Sequence, residues 1–191
     1  MDLVFPQGNE KEFLEIASKL EINDLVFVYS LDNFKKVDGV KCGVIVDSEK
    51  QVDKAKKLSS FVIIKANEDK NRHYLEKSKV DMVFDFEASA KEDFLHSRRG
   101  GLNHITARIA HDKGKMVGFS FSSVLNSFNR PRLLGRVMQN IKLCRKYKVK
   151  VFTGSFATNP YGLRSSHDLK AFFITLGMEP KEAQEARKLF K

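Results

Sequence analysis

Short β-rich apolar runs alternate with helix-period runs along the whole chain, and this alternation limits the fold more than any other feature. Seven runs read as strands: 3–5, 25–29, 43–46, 61–64, 82–84, 116–119 and 149–152. They are rich in Val, Ile and Phe and mostly continuous, as parallel strands buried on both faces are. The segments between them carry helix signals. Asn9 with Glu12 predicts a capping box ahead of Phe13, Leu14, Ile16, Ala17 and Leu20, and Ser48 with Gln51 predicts another ahead of Val52, Ala55 and Leu58. In 133–147 an apolar stripe of Leu134, Val137, Met138, Ile141 and Cys144 is expected, which Arg136, Lys142, Arg145 and Lys146 avoid. Ser166 predicts the start of a helix that Gly177 ends, and Pro180 fits the first turn of a last helix over 180–190.

Strand–helix repetition from end to end means α/β with a parallel sheet. Right-handed crossovers leave two solutions, an open doubly wound sheet or a closed barrel. No Gly-x-Gly-x-x-Gly follows the first strand, since Phe5-Pro6-Gln7-Gly8-Asn9 does not cradle a pyrophosphate. The expected fold is therefore a compact, somewhat irregular TIM-like (β/α) barrel, with residues 1–191 as one domain. Seven strands are legible. Either an eighth lies near Phe94 or the barrel closes irregularly. The irregular stretch 86–101 interrupts the repeat where a functional loop is expected.

Charge divides the chain. Residues 1–95 hold 15 basic and 19 acidic residues, whereas residues 96–191 hold 19 basic and 5 acidic. The stretch 96–150 carries 13 basic residues and one acid, Asp112. Of ten arginines only Arg72 precedes position 96. Guanidinium is a planar, bidentate phosphate binder, so an anion-binding face in the second half is expected, with nucleic acid as the anion. The chain has no apolar run near the ~20 residues that a membrane helix needs. Its start lacks a signal-peptide pattern. The two distant cysteines, Cys42 and Cys144, read as reduced thiols, so a cytoplasmic protein with no membrane partner is expected.

Three basic clusters supply the candidate residues. The first joins Arg98 and Arg99, beside Gly100 and Gly101, to a helix start at which His104, Arg108 and His111 share one face opposite Leu102, Ile105, Ile109 and Ala110. The second runs from Arg130 and Arg132 through Arg136, Arg145, Lys146 and Lys148, with no acid from Leu133 to Lys150. The third follows the last strand, where Ser155, Arg164 and His167 either contact a phosphate or organise their loop. Arg98, Arg99, Arg130, Arg132 and Arg136 are expected to form one cationic edge. No catalytic or metal-binding residue is expected. The five histidines form no His-x-His or His-x-x-x-His pair, no Gly-x-Ser-x-Gly elbow is present, and Asp47 and Asp85 are ordinary helix-entry acids.

The stretches from Asn129-Arg130-Pro131-Arg132-Leu133-Leu134 through Cys144-Arg145-Lys146-Tyr147-Lys148-Val149, then Leu163-Arg164-Ser165-Ser166-His167-Asp168-Leu169 and Leu176-Gly177-Met178, with Gly101-Leu102-Asn103-His104 and Arg98 upstream, resemble the ribonuclease P protein component 3 family. These are archaeal counterparts of the eukaryotic thirty-kilodalton subunit. Ser166 stands where that family often has Pro, and Phe156 where a small residue is common. The resemblance implies a TIM-like barrel without the metal ligands of related phosphoesterases. It implies an RNA-binding subunit that supports the catalytic RNA in removing the 5′ leader of precursor tRNA. Mg²⁺ would be bound by that RNA and no cofactor by the protein. The implied partners are the ribonuclease P RNA, a smaller RRM-like ribonuclease P subunit and other ribonuclease P proteins. The alternative is a stand-alone metal-dependent phosphoesterase of a related barrel fold.

Overall fold

A computed structural model describes residues 1–89 and 91–190. Seven strands occur in chain order: β1 (Asp2–Val4), β2 (Leu25–Ser30), β3 (Lys41–Val46), β4 (Val62–Lys65), β5 (Met82–Phe84), β6 (Met116–Ser120) and β7 (Lys150–Gly154). Each pairs in parallel with the next, giving sheet order β1 to β7. The helices are α1 (Glu10–Lys19), α2 (Val52–Leu58), α3 (Asn71–Glu76), α4 (Phe86–Ser89), α5 (His104–Asp112), α6 (Phe121–Leu125), α7 (Arg130–Lys146), α8 (Ser166–Thr175) and α9 (Pro180–Glu185). The sheet curls into a nearly closed barrel with the helices around it, the TIM-like (β/α) architecture read from the sequence. β1 meets the segment after β7 through a single parallel bridge, Val4 with Ala157, and the Phe5 N–H donates to the Ala157 carbonyl at 2.8 Å. The closure is thus the irregular one. Phe94 pairs only with Ser97, in an antiparallel bridge inside its own loop, and supplies no eighth strand.

Period-2 alternation divides the core into an inner and an outer layer. Leu3, Val26, Val28, Ile63, Met82, Phe84, Met116, Phe152 and Phe156 fill the barrel. Val44, Val46, Val62, Ile64, Val83, Val117 and Phe119 face outward, under helices that contribute Ala55, Leu75, Ala107, Val137, Ile141 and Phe173. Leu189 and Phe190 close the N-terminal end, with the Phe190 ring edge-on to Phe61 at 5.4 Å. Nearby, the buried Arg187 donates to the Thr153 carbonyl at 2.6 Å and lies 3.7 Å from the buried Asp2 carboxylate, tying the chain's end to β1 and β7.

Gly177 ends α8 at φ +103° and Pro180 opens α9, as expected. The two expected capping boxes do not form. The Asn9 side chain accepts from the Gln7 N–H, and the Gln51 side chain accepts from the Asp47 N–H. Boxes form instead at α5, between Asn103 and Thr106, and at α9, between Glu179 and Glu182. Ser165, not Ser166, caps α8. Cys42 is half-buried, Cys144 is buried, and both are unpaired.

Candidate nucleic-acid interface

The helix α7 decides how the basic residues are displayed. Its buried face is Leu133, Arg136, Val137, Asn140, Ile141 and Cys144, turned from the expected stripe, and Met138 lies on the solvent side. Arg136 is therefore inside, with 4% of its surface exposed. Its Nε donates to Asp93 at 2.8 Å, Nη1 donates to the Glu87 carbonyl at 3.0 Å, and Nη2 donates to the Lys91 carbonyl. The expectation that Arg136 faces an outside ligand is corrected. A guanidinium whose planar fork of donors meets a carboxylate and backbone carbonyls inside the protein is a clamp for the segment after α4.

That segment is held along its length. The Arg99 guanidinium pairs with Glu68 and lies 5.0 Å from the Phe94 ring centre. The Arg99 N–H donates to Asp93 at 2.9 Å, and with Arg136 it holds the Asp93 carboxyl below its usual range. Asn140 donates to the Gly100 carbonyl at 2.7 Å. Gly101 has φ +80°, and a Cβ there would stand 2.1 Å from the Phe86 carbonyl oxygen. The two glycines therefore let the loop seat on α4 and α7, not on a phosphate. Arg99 ties the basic half to an acid of the first half, and its expected free display is corrected as well.

Arg145 and Arg164 are also engaged. Arg145 forms a two-pronged pair with Glu182 of α9, at 2.7 and 2.6 Å, which lowers the Glu182 carboxyl pKa. Arg164 donates to the carbonyls of Tyr161 and Leu163 and lies over the Phe121 ring, so it organises its loop. Ser155 is fully buried, with its N–H on Asp2, and cannot meet an external phosphate.

The remaining candidates lie on the outside. Arg98 sits across α7 where Gly135 leaves room, since a Cβ there would be 2.8 Å from the Arg98 Nε. His104, Arg108 and His111 are exposed along α5, whereas Ile105, expected in the core, is 47% exposed. His111 Nδ1 is 2.9 Å from the Lys148 carbonyl, which pins the far end of α5 to the turn after α7. His104 and Ile105 share a groove of about 580 Å³ with Arg98, Gln139 and Leu143. Arg98, Arg108, Lys142, Lys146 and Lys148 thus belong to two neighbouring helices and the segments joined to them. Among the described residues none of these five is ion-paired, in contrast to Arg99, Arg136 and Arg145. Arg130 and Arg132 are exposed at the α7 start, where Asn129 caps the Arg132 N–H. Arg130 donates to the Leu125 carbonyl at 2.7 Å. His167 is exposed at the start of α8.

The sequence placed the segment after β7 on the C-terminal rim of the barrel, but not the cavity at its mouth. A cavity of about 670 Å³ opens there, with Phe5, Phe84 and Phe156 on its floor and Lys65, Asp85, Ser123 and Arg132 on its walls. Asp85 is buried, accepts from the Ser123 hydroxyl at 2.7 and 2.8 Å, and lies 3.5 Å from the Lys65 ammonium. Burial raises the Asp85 carboxyl pKa, and Ser123 and Lys65 oppose that rise. Beside it Glu87 is pushed up to about 8 by burial and then by the Asp85 charge. A metallohydrolase would need converging His and Asp ligands here. The mouth offers aromatic rings, the ion-paired Asp85 carboxylate and the buried Glu87 carboxyl instead. Among the described residues no group of three His, Cys, Asp or Glu side chains could hold a metal ion. These residues do not fit a zinc centre.

Comparison with known proteins gives this geometry its context. A family model described as RNase P subunit p30 matches residues 11–188. A curated relative, ribonuclease P protein component 3 of Methanococcus maripaludis strain C7, is 29% identical over 160 residues, which cover 81% of this chain and 66% of that protein. The chain therefore spans about two thirds of that relative's length. A chain in the cryo-EM structure of archaeal ribonuclease P with mature tRNA superposes with a TM-score of 0.78 at 26% identity, over 96% of this chain and 86% of that one. Histidinol phosphate phosphatase from Lactococcus lactis, crystallised with zinc, L-histidinol and phosphate, superposes with a TM-score of 0.58 at 9% identity, over 93% and 94% of the two chains. That likeness is one of fold alone. With the match running through nearly every element of the barrel, the chain belongs to the ribonuclease P subunit p30 family.

Proposed function

We propose that this chain is a protein subunit of ribonuclease P that binds and supports the particle's RNA, which itself removes the 5′ leader of precursor tRNA. The observation that carries the reading is the stripe of exposed, unpaired cations on α5 and α7 in a member of this family. Helix surfaces normally alternate charge sign, because unpaired like charges repel. Asp112, at the end of α5, is the one acid among these residues, and so positive a stripe is relieved when phosphates cover it. Arg98, Arg108, Lys142, Lys146 and Lys148 are the contacts on the barrel's side, with Arg130 and Arg132 extending them to its mouth. Phosphate and shape contacts dominate, as for structured RNA. Mg²⁺ belongs to the RNA in this reading. A smaller RRM-like ribonuclease P subunit and further ribonuclease P proteins are the protein partners, and the particle is cytoplasmic. Among the described residues no helix is long and apolar enough to cross a membrane.

The test is reconstitution of precursor-tRNA processing from the catalytic RNA and its proteins, with and without this chain. The expected result is a lower Mg²⁺ requirement when the chain is present. Processing that is indifferent to the chain, together with no RNA affinity of its own, would refute the proposal.

A further inference from the structure

The barrel mouth has a built cavity for which the side stripe has no use. Its floor is apolar: Phe84 and Phe156 stack at 5.1 Å and 23°, and Phe5 lies 6.1 Å from Phe84 with part of its ring exposed. Its walls are neutral hydrogen-bonding groups, among them Ser122, Ser123, Asn126 and Thr158. Lys65 and Arg132 line the same space and are both exposed. Two acids lie below: Asp85 is occupied by Ser123 and Lys65, and Glu87 is buried and accepts from Asn140. An aromatic floor, amide and hydroxyl walls and cations above are what a nucleotide needs, for the ring, the base edge and the phosphate respectively.

Two further observations point to the same place. Among the described residues four non-glycines have left-handed backbone, Glu21, Asp85, Lys148 and Phe156, and two of them line this cavity. A bulky aromatic at φ +50° is costly, and such strain gathers at functional sites. The reversal at Phe156 places its ring on the cavity floor, where it meets Phe84. The second observation is Phe128, fully exposed between two cavity-lining residues, Ser127 and Asn129, and followed by Arg130. A lone exposed aromatic beside arginine at a cavity's rim is a stacking surface for a neighbouring base.

We propose that the barrel mouth holds one unpaired nucleotide, its base lying on Phe5 and its phosphate drawn to Lys65 and Arg132. The nucleotide comes from an RNA strand whose next base stacks on Phe128. This deepens the RNA-binding reading above and rests on it for the source of the strand. The cavity volume exceeds one nucleotide, so the flanking phosphates enter as well.

The test is an NMR titration of the full chain with adenosine 5′-monophosphate, inorganic phosphate and a single-stranded adenosine pentanucleotide. The expected result is amide shifts at Ser122, Ser123, Asn126 and Thr158 with the mononucleotide and, more tightly, with the pentanucleotide. Inorganic phosphate should bind roughly tenfold more weakly, lacking the stacking contact. Arg132→Ala, on an exposed side chain, should weaken the mononucleotide several-fold while preserving the spectrum of the free protein. Phe5→Leu should weaken the mononucleotide but not phosphate. Phe128→Ala should weaken only the pentanucleotide. Shifts confined to α5 and α7, or equal binding of phosphate and mononucleotide, would overturn the proposal. The RNA reading is scored separately, by affinity of the same variants for the catalytic RNA. Intact RNA affinity with a silent mouth removes the nucleotide site alone. Mononucleotide binding at the mouth without RNA affinity supports the pocket and overturns the strand as its source.

Discussion

Removing the Arg136 side chain should unfasten the segment that joins α4 to α5. Among its contacts with the described residues are a hydrogen bond to the Asp93 carboxylate and others to the backbone carbonyls of Glu87 and Lys91. Arg136→Ala leaves the Glu87 carbonyl buried without its donor and takes from Asp93 its one guanidinium partner. Hydrogen bonds involving a charged group contribute about 1.5–3 kcal/mol each, and breaking a buried ion pair on one side costs about 3–5 kcal/mol. Asp93 keeps some solvent contact and its bond from the Arg99 N–H, so the lower end applies, about 3–4 kcal/mol. For a domain of this size that loss lowers Tm by roughly 10 °C. Thermal unfolding followed by circular dichroism measures it. Arg136→Lys should recover only part of the loss, because an ammonium cannot reach three acceptors in a fork. The reasoning fails if Arg136→Ala melts with the parent and instead loses RNA affinity. That outcome would return Arg136 to the outer cationic edge.

Further outcomes follow from the same contacts. Glu87 has a folded pKa of about 8, raised by burial above that of the unfolded chain, so its contribution is fully present below the unfolded carboxylate pKa and is lost as pH rises through about 8. Tm should therefore fall between pH 5 and 9, and Glu87→Gln should flatten that slope; an unchanged slope would show that Glu87 is not its source. Arg145→Ala should cost only about 0.5–1 kcal/mol, since its pair with Glu182 is partly exposed, and should show as faster hydrogen exchange in α9. The purified chain with Mn²⁺ or Zn²⁺ should hydrolyse no phosphodiester; a metal-dependent rate abolished by one His or Asp substitution would revive the phosphoesterase alternative.

The barrel was legible because its strands are buried on both faces, so that continuous apolar runs such as 25–29 and 82–84 mark a parallel sheet, and because the first strand lacks a dinucleotide-binding loop. Irregular closure stood as one of two readings beside an eighth strand near Phe94, because the Val4–Ala157 bridge joins β1 to a segment with no strand pattern of its own. Charge counting located the basic half but could not separate arginines that face solvent from those that face protein. Arg136 carried a signal that helix geometry could have used. It lies three residues after Leu133 and four before Asn140, on the face that is buried, whereas the apolar-only reading placed Met138 there instead. Arg99 carried no such mark, since its partner Glu68 is distant in sequence. The mouth cavity was invisible for a related reason. Lys65, Asp85 and Ser123 come from separate repeats, and only the curl of the barrel brings them to one opening. The serine after β7 reads in sequence as either a phosphate contact or a loop organiser, and Ser155 is buried beside the left-handed turn at Phe156.

The central claim is that the outer stripe of α5 and α7 meets RNA phosphates. It is tested most directly by the salt dependence of catalytic-RNA binding for the parent chain and for a triple variant, Arg108→Ala with Lys142→Ala and Lys146→Ala. All three side chains are exposed and none is ion-paired, so Tm should hold. Each lost phosphate contact should reduce the slope of log K against log salt by about 0.7–0.9. The account predicts a slope shallower by roughly 2, with weaker binding at low salt. An unchanged slope and affinity in a variant that melts with the parent would contradict it.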